Sequence, residues 1–115
     1  MPIPTFANIR IDENKLTGYV LNLNHPEGRH KARVFRSALG LTISDAPWLA
    51  QAIKLALPET RMALQSQSEW GSIYRSDILL HRGNRCAKVR TAWLCTDQET
   101  RLVTCFVIGE CDENT

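Results

Sequence analysis

The chain has 115 residues, 43% hydrophobic and 23% charged, with a formal net charge of +2; this predicts one domain over residues 1–115 and excludes an intrinsically disordered chain. No apolar run approaches the roughly 18–20 residues that cross a bilayer, so no membrane partner is expected. The opening MPIPTFANIRIDEN lacks a basic segment followed by an apolar one, so a signal peptide is not expected and the cytoplasm is the default location.

The ordered core should cover about residues 12–108. Residues 1–11 read as an extended arm, with a short strand at Phe6–Ile11. Asp12 or Asn14 can cap a short helix over 13–21 that turns Leu16, Tyr19 and Val20 to one face. NLNHPEGRH follows as a turn punctuated by Asn24, Pro26 and Gly28. A second helix over 30–39 has Val34, Phe35, Ala38 and Leu39 as its apolar stripe, and Gly40 offers a left-handed C-terminal cap. Ser44 reads as the N-cap of a third helix, with Asp45 and Pro47 in its first turn and a broad apolar surface from Trp48 to Ala56. Pro58 ends that helix or starts a turn near Glu59.

From Trp70 onward the period changes to that of strands. Ile73–Leu80, Arg85–Thr96 and Arg101–Ile108 read as three of them, joined by turns at Arg82-Gly83-Asn84 and Asp97–Thr100. In the middle strand Ala87, Val89, Thr91, Trp93 and Cys95 should face the core, leaving Lys88 and Arg90 on the other side. LVTCFVI is apolar on both faces and reads as the central strand. The fold class is therefore α+β, with N-terminal helices packed on one face of a C-terminal antiparallel sheet of three or more strands.

Cys86, Cys95, Cys105 and Cys111 match no zinc-ligand spacing and read as core or edge filler, with a Cys86–Cys111 pairing open to a hairpin of suitable register. No HExxH, CxxC or phosphate-loop glycine pattern occurs, so neither a metal nor a cofactor is expected. The basic residues are segregated. Arg29, Lys31, Arg33 and Arg36 form one cluster and Arg82, Arg85, Lys88 and Arg90 another, with no acid between Glu27 and Asp45 or between Asp77 and Asp97. A nearly neutral chain can thus carry a positive face suited to RNA.

KLTGYVLNLNHPEGRHKARVFRSALG resembles a small, uncharacterised bacterial domain family with an HP-x-G-x-x-KA motif, carried here by Asn22, His25, Pro26, Gly28, Lys31, Ala32, Phe35, Leu39 and Gly40. RCAKVRTAWL resembles that family's basic strand, so the likeness covers about residues 15–108. Such domains occur alone and at the ends of polymorphic toxins, which implies a co-encoded small partner or antitoxin. By fold-level analogy, helices before a sheet also resemble the metal-independent ribonuclease superfold of barnase, colicin nucleases and RelE-type toxins. This sequence departs from the best-known of those enzymes in having no obvious catalytic glutamate beside its histidines; Glu27 is the nearest candidate.

The resemblance implies a metal-independent endoribonuclease, in which a 2′-hydroxyl attacks the adjacent phosphate and the protein supplies proton transfer and cations. The catalytic candidates are His25, Lys31 and Arg75; Arg29, His30, Arg33, Lys88 and Arg90 are candidates for nucleic-acid binding. Each has a plainer alternative: a turn histidine at His25, solvated helix residues at Lys31 and Arg33. Two other functions stay open. One is a non-catalytic module binding nucleic acid or a partner protein. The other is an oligomerising domain that buries Leu80, Leu94 and Ile108 between subunits.

Overall fold

A computed structural model describes residues 8–57 and 61–110. In chain order the elements are β1 (Ile9–Arg10), α1 (Glu13–Lys15), a π-turn (Leu16–Val20), α2 (Arg29–Leu39), a 3₁₀ turn (Ile43–Asp45), α3 (Ala46–Ala56), β2 (Ala63–Ser68), β3 (Gly71–Arg82), β4 (Arg85–Cys95) and β5 (Thr100–Glu110). The five strands form one sheet in the order β1-β5-β4-β3-β2, antiparallel except for the β1–β5 pair. The fold is α+β with a mixed sheet, since the arm strand lies parallel to β5 through Ile9–Thr100 and Arg10–Arg101. Phe6, Pro58, Glu59 and Cys111 lie outside the described residues.

Local chemistry sets the helix ends. The Asp12 carboxylate accepts the Asn14 N–H at 2.9 Å, so Asp12 rather than Asn14 is the cap of α1. After one turn the ladder widens, with the Leu21 N–H reaching the Leu16 carbonyl at 2.8 Å, and this π geometry seats Leu16, Val20 and Leu21 in the core. Gly40 ends α2 at φ 68°, the left-handed position that an L side chain resists, as its place in the sequence predicts. The cap of the next helical segment is Thr42, not Ser44. Thr42 and Asp45 satisfy each other's free groups in a capping box, and the 3₁₀ turn they close feeds into α3.

Two expected apolar positions face water. Val34 on α2 is 42% exposed and Leu55 on α3 is 69% exposed. The core instead gathers Ala32, Phe35 and Leu39 from α2 and Leu49, Ala50 and Ile53 from α3 against one face of the sheet. The middle strand obeys its predicted alternation, with Ala87, Val89, Thr91, Trp93 and Cys95 all buried. Within it, the Thr91 hydroxyl donates to the Ser76 carbonyl at 2.7 Å and accepts the Trp93 indole N–H at 2.8 Å. Leu80 also faces the helices, so it is not part of the open face on which the oligomer reading placed it. Cys95 and Cys105 are buried free thiols, and burial pushes Cys105 up to about 12.

The sheet differs from expectation in two further respects. β4, not β5, is the middle of the sheet, because beyond Arg101 the outer edge of β5 pairs with no strand among the described residues. The strand β2 was not anticipated: ALQSQS has no apolar alternation, and all six of its residues are exposed. It is an edge strand whose backbone pairing with β3 defines it, with a bulge between Leu64 and Ser66.

The β3–β4 turn locks the helices to the sheet. Arg82 donates to the carbonyls of Leu39 at 3.1 Å and Gly40 at 2.9 Å, pairs with Asp45 at 3.0 Å and lies over the Trp48 ring. Arg85 donates to the Ser37 carbonyl at 3.1 Å. These are the orphan carbonyls at the end of α2. Half of the second basic cluster is thereby committed to joining hairpin and helices.

Candidate functional site

The HPEG turn is built around its histidine. Nδ1 of His25 accepts two backbone N–H groups, from Glu27 at 3.0 Å and Gly28 at 2.9 Å, so the neutral ring carries its proton on Nε2. The ring meets the Tyr19 ring edge-on, with centroids 4.7 Å apart. Gly28 is buried against the same tyrosine: a Cβ there would sit 2.3 Å from the Tyr19 carbonyl oxygen. Two residues of the turn motif therefore fix the position of Tyr19.

Tyr19 in turn flanks Lys31. The Lys31 ammonium lies 3.1 Å from the Thr104 hydroxyl and 3.4 Å from the Tyr19 hydroxyl, and packs over the Tyr19 and Phe106 rings at 4.8 and 5.3 Å. It is half-buried and forms no ion pair with the described residues. A cation partly withdrawn from water with hydroxyls and rings for neighbours, and no carboxylate, is arranged to meet an anion from outside. Two hollows open beside it. One, of about 540 Å³, is lined by Asp12, Asn14, Lys15, Tyr19, Lys31 and Thr104, among others. The other, of about 240 Å³, is lined by His30, Lys31, Val34, Phe106 and Val107. Lys31 lines both; the two hollows together, termed the groove, flank it beside β5 among the described residues.

The open face of the sheet holds the second group of cations. Arg90 grips Asp77 with two bonds, Nε to Oδ1 at 2.9 Å and Nη2 to Oδ2 at 3.1 Å. The Arg90 hydrogen bond holds the Asp77 carboxyl below its ordinary range, helped by the charges of Arg90, Arg75 and Lys88. Arg75, Lys88 and Arg90 thus surround a single carboxylate. Phe106 links the two regions, since its register partner across the strands is Arg90 and its ring faces Lys31.

The predicted site residues fall into separate places. Lys31 and His30 line the groove. His25 caps the turn behind Tyr19 and lines neither hollow. Arg75, Lys88 and Arg90 gather at Asp77, while Arg29 and Arg33 are exposed on α2. Sequence reasoning missed the contacts of Tyr19, Thr104 and Phe106 with Lys31. Helical periodicity assigns Tyr19 to packing alone. The one available signal was Thr104, a hydroxyl inside the apolar run LVTCFVI. Among the described residues no three His, Cys, Asp or Glu side chains gather into a metal-ligand set, and no helix is long and apolar enough to cross a membrane.

A family model matches residues 3–109, a span that takes in the turn, the groove and the open face. The chain belongs to the family described as Domain of unknown function (DUF6883). No curated protein and no solved structure matches it. What this DUF6883 domain does must therefore be read from its own groove.

Proposed function

We propose that this DUF6883 domain is a metal-independent endoribonuclease that holds single-stranded RNA in the groove centred on Lys31. The observation that carries the reading is the half-buried Lys31 ammonium, in no ion pair with the described residues and set between two hydroxyls and two aromatic rings. A phosphate seated there gains a charge-assisted bond. Phe106 offers a stacking face for a neighbouring base, and Arg75 and Lys88 extend the positive track across the open face.

In this mechanism the ribose 2′-oxygen attacks the adjacent phosphorus and the bond from phosphorus to the 5′-oxygen breaks. The products are a 2′,3′-cyclic phosphate and a 5′-hydroxyl. One proton leaves the 2′-hydroxyl and one reaches the departing 5′-oxygen. In this reading His30 and the Tyr19 phenol exchange those protons, and Lys31 stabilises the charge that develops on the phosphorane. His25 acts at one remove, by holding Tyr19.

The test is incubation of purified protein with single-stranded RNA in the presence of a chelator. The wild type is expected to produce fragments ending in cyclic phosphate, and Lys31→Met to produce at least about a hundredfold less, the usual loss when one electrostatic stabiliser is removed. RNA left intact by the wild type would refute the reading. A second reading, a non-catalytic RNA-binding module, is favoured by the engagement of His25 Nδ1 with two backbone groups. It predicts salt-sensitive binding without any product.

A further inference from the structure

We propose that the outer edge of β2 pairs antiparallel with the same edge of a second copy of this chain, joining two sheets into one. The groove at Lys31 lies beside β5, which β4 and β3 separate from β2, so this inference is independent of the ribonuclease reading. β2 ends the sheet order, and its outer edge meets no strand among the described residues. Such an edge offers backbone N–H and C=O groups to any chain that can lie along it. Edges are commonly guarded by a lysine or a proline. From Met62 through Ser68 there is no charged residue and no proline. All six residues of β2 are exposed, Leu64 among them, and Trp70 in the turn that follows is 76% exposed.

Two features select a second copy as the occupant. The first is charge. Arg61 precedes the uncharged stretch and Glu69 follows it, both exposed and in no ion pair among the described residues. An antiparallel pair of identical strands brings Arg61 of each copy to the Glu69-Trp70 turn of the other. There a carboxylate and an indole ring both attract a guanidinium. A parallel pair in register would set arginine beside arginine. The second feature is shape. β2 is bulged between Leu64 and Ser66, and Gln65 there stands midway between Arg61 and Glu69. A bulge bends its strand, which turns a straight partner away. A two-fold axis at this point brings bulge to bulge, and the two bends match. Six residues a side is well short of the roughly 20–30 of a standard interface, so the dimer forms reversibly.

The experiment is sedimentation equilibrium of the full chain from micromolar to millimolar concentration. The wild type is expected to pass from monomer to dimer across that range. Glu69→Arg should raise the dissociation constant about tenfold, because each dimer holds the contact twice and attraction becomes repulsion. Arg61→Glu should do the same. Gln65→Lys, which sets like charges at the axis, should also weaken association. All three positions are exposed, so the fold is retained, and circular dichroism verifies it. The double variant Arg61→Glu/Glu69→Arg should regain wild-type association, a recovery that misfolding cannot produce. A monomer at every concentration would overturn the proposal and leave the edge to a strand of a different protein. A dimer indifferent to all three single substitutions, or a double variant no better than either charge reversal alone, would overturn it as well. Lys31→Met should dimerise like the wild type, so failure of the ribonuclease reading leaves this result standing.

Discussion

Replacing Gly28 by alanine should damage the fold through a single atom. Gly28 has φ −77°, a conformation that alanine adopts freely, so backbone strain plays no part. The added methyl would lie 2.3 Å from the Tyr19 carbonyl oxygen, 3.0 Å from its carbon and 3.2 Å from the ring Cδ2. The nearest atom is backbone, so it cannot swing aside as a side chain would. Overpacking of this kind costs about 1–3 kcal/mol, and the gain from stiffening the unfolded chain returns about 0.4–1 kcal/mol. A net loss of about 1.3 kcal/mol is expected, which for a domain of this size lowers Tm by roughly 5 °C. Thermal unfolding followed by circular dichroism measures it directly. Because the displaced residue is Tyr19, the RNA binding proposed at Lys31 should weaken as well, even at temperatures where the variant is folded. A Tm within about 1 °C of wild type would mean that the turn is not packed on Tyr19 as described, and the positioning role given to His25 and Gly28 would fall with it.

Thr91→Val keeps the shape of a buried side chain but removes the oxygen that accepts the Trp93 indole N–H. It should cost about 1–3 kcal/mol in urea unfolding, the penalty for an orphaned buried donor; an unchanged midpoint would show that Trp93 finds another partner. Stability should also fall as the solution is acidified. The carboxyl of Asp77 is held low chiefly by its hydrogen bond from Arg90, and that of Asp45 chiefly by the Thr42 backbone N–H. Each contributes stability that is complete above the ordinary carboxylate pKa near 4 and is lost as pH drops through the lowered folded-state value. Asp77→Asn should flatten that acid limb in a pH series of melting curves, and an unaltered slope would assign it to other groups.

Most of the scaffold was legible because its signals are local. Alternation identified the core face of β4 residue by residue, and Gly40 marked the end of α2. The strand β2 was hidden because an exposed edge strand of Gln and Ser carries no alternation; only its pairing with β3 reveals it. Val34 and Leu55 were misplaced because a helix pattern gives the apolar arc but not how much of it the sheet covers. The site was less legible than the fold. Lys31 was visible through its motif, yet Tyr19, Thr104 and Phe106 reach it from segments up to 75 residues away in number, from Lys31 to Phe106. His25 drew attention as a titratable ring before a proline, while its contacts are those of a turn cap. A sequence shows that an imidazole is present, not that its nitrogen is already occupied.

The pairing of β1 with β5, reinforced by the bonds of Asn8 to Thr100 and Gln98, stitches an early segment to one made about ninety residues later. During synthesis the ribosome therefore releases Lys31 long before Thr104 and Phe106 exist to face it. An unfinished chain carries the helical segments but neither the sheet's last strand nor the groove beside it. Such dependence on distant contacts slows folding and delays any activity until translation has passed β5. For the ribonuclease proposed above, this ordering would spare the message and the ribosome still engaged in making it.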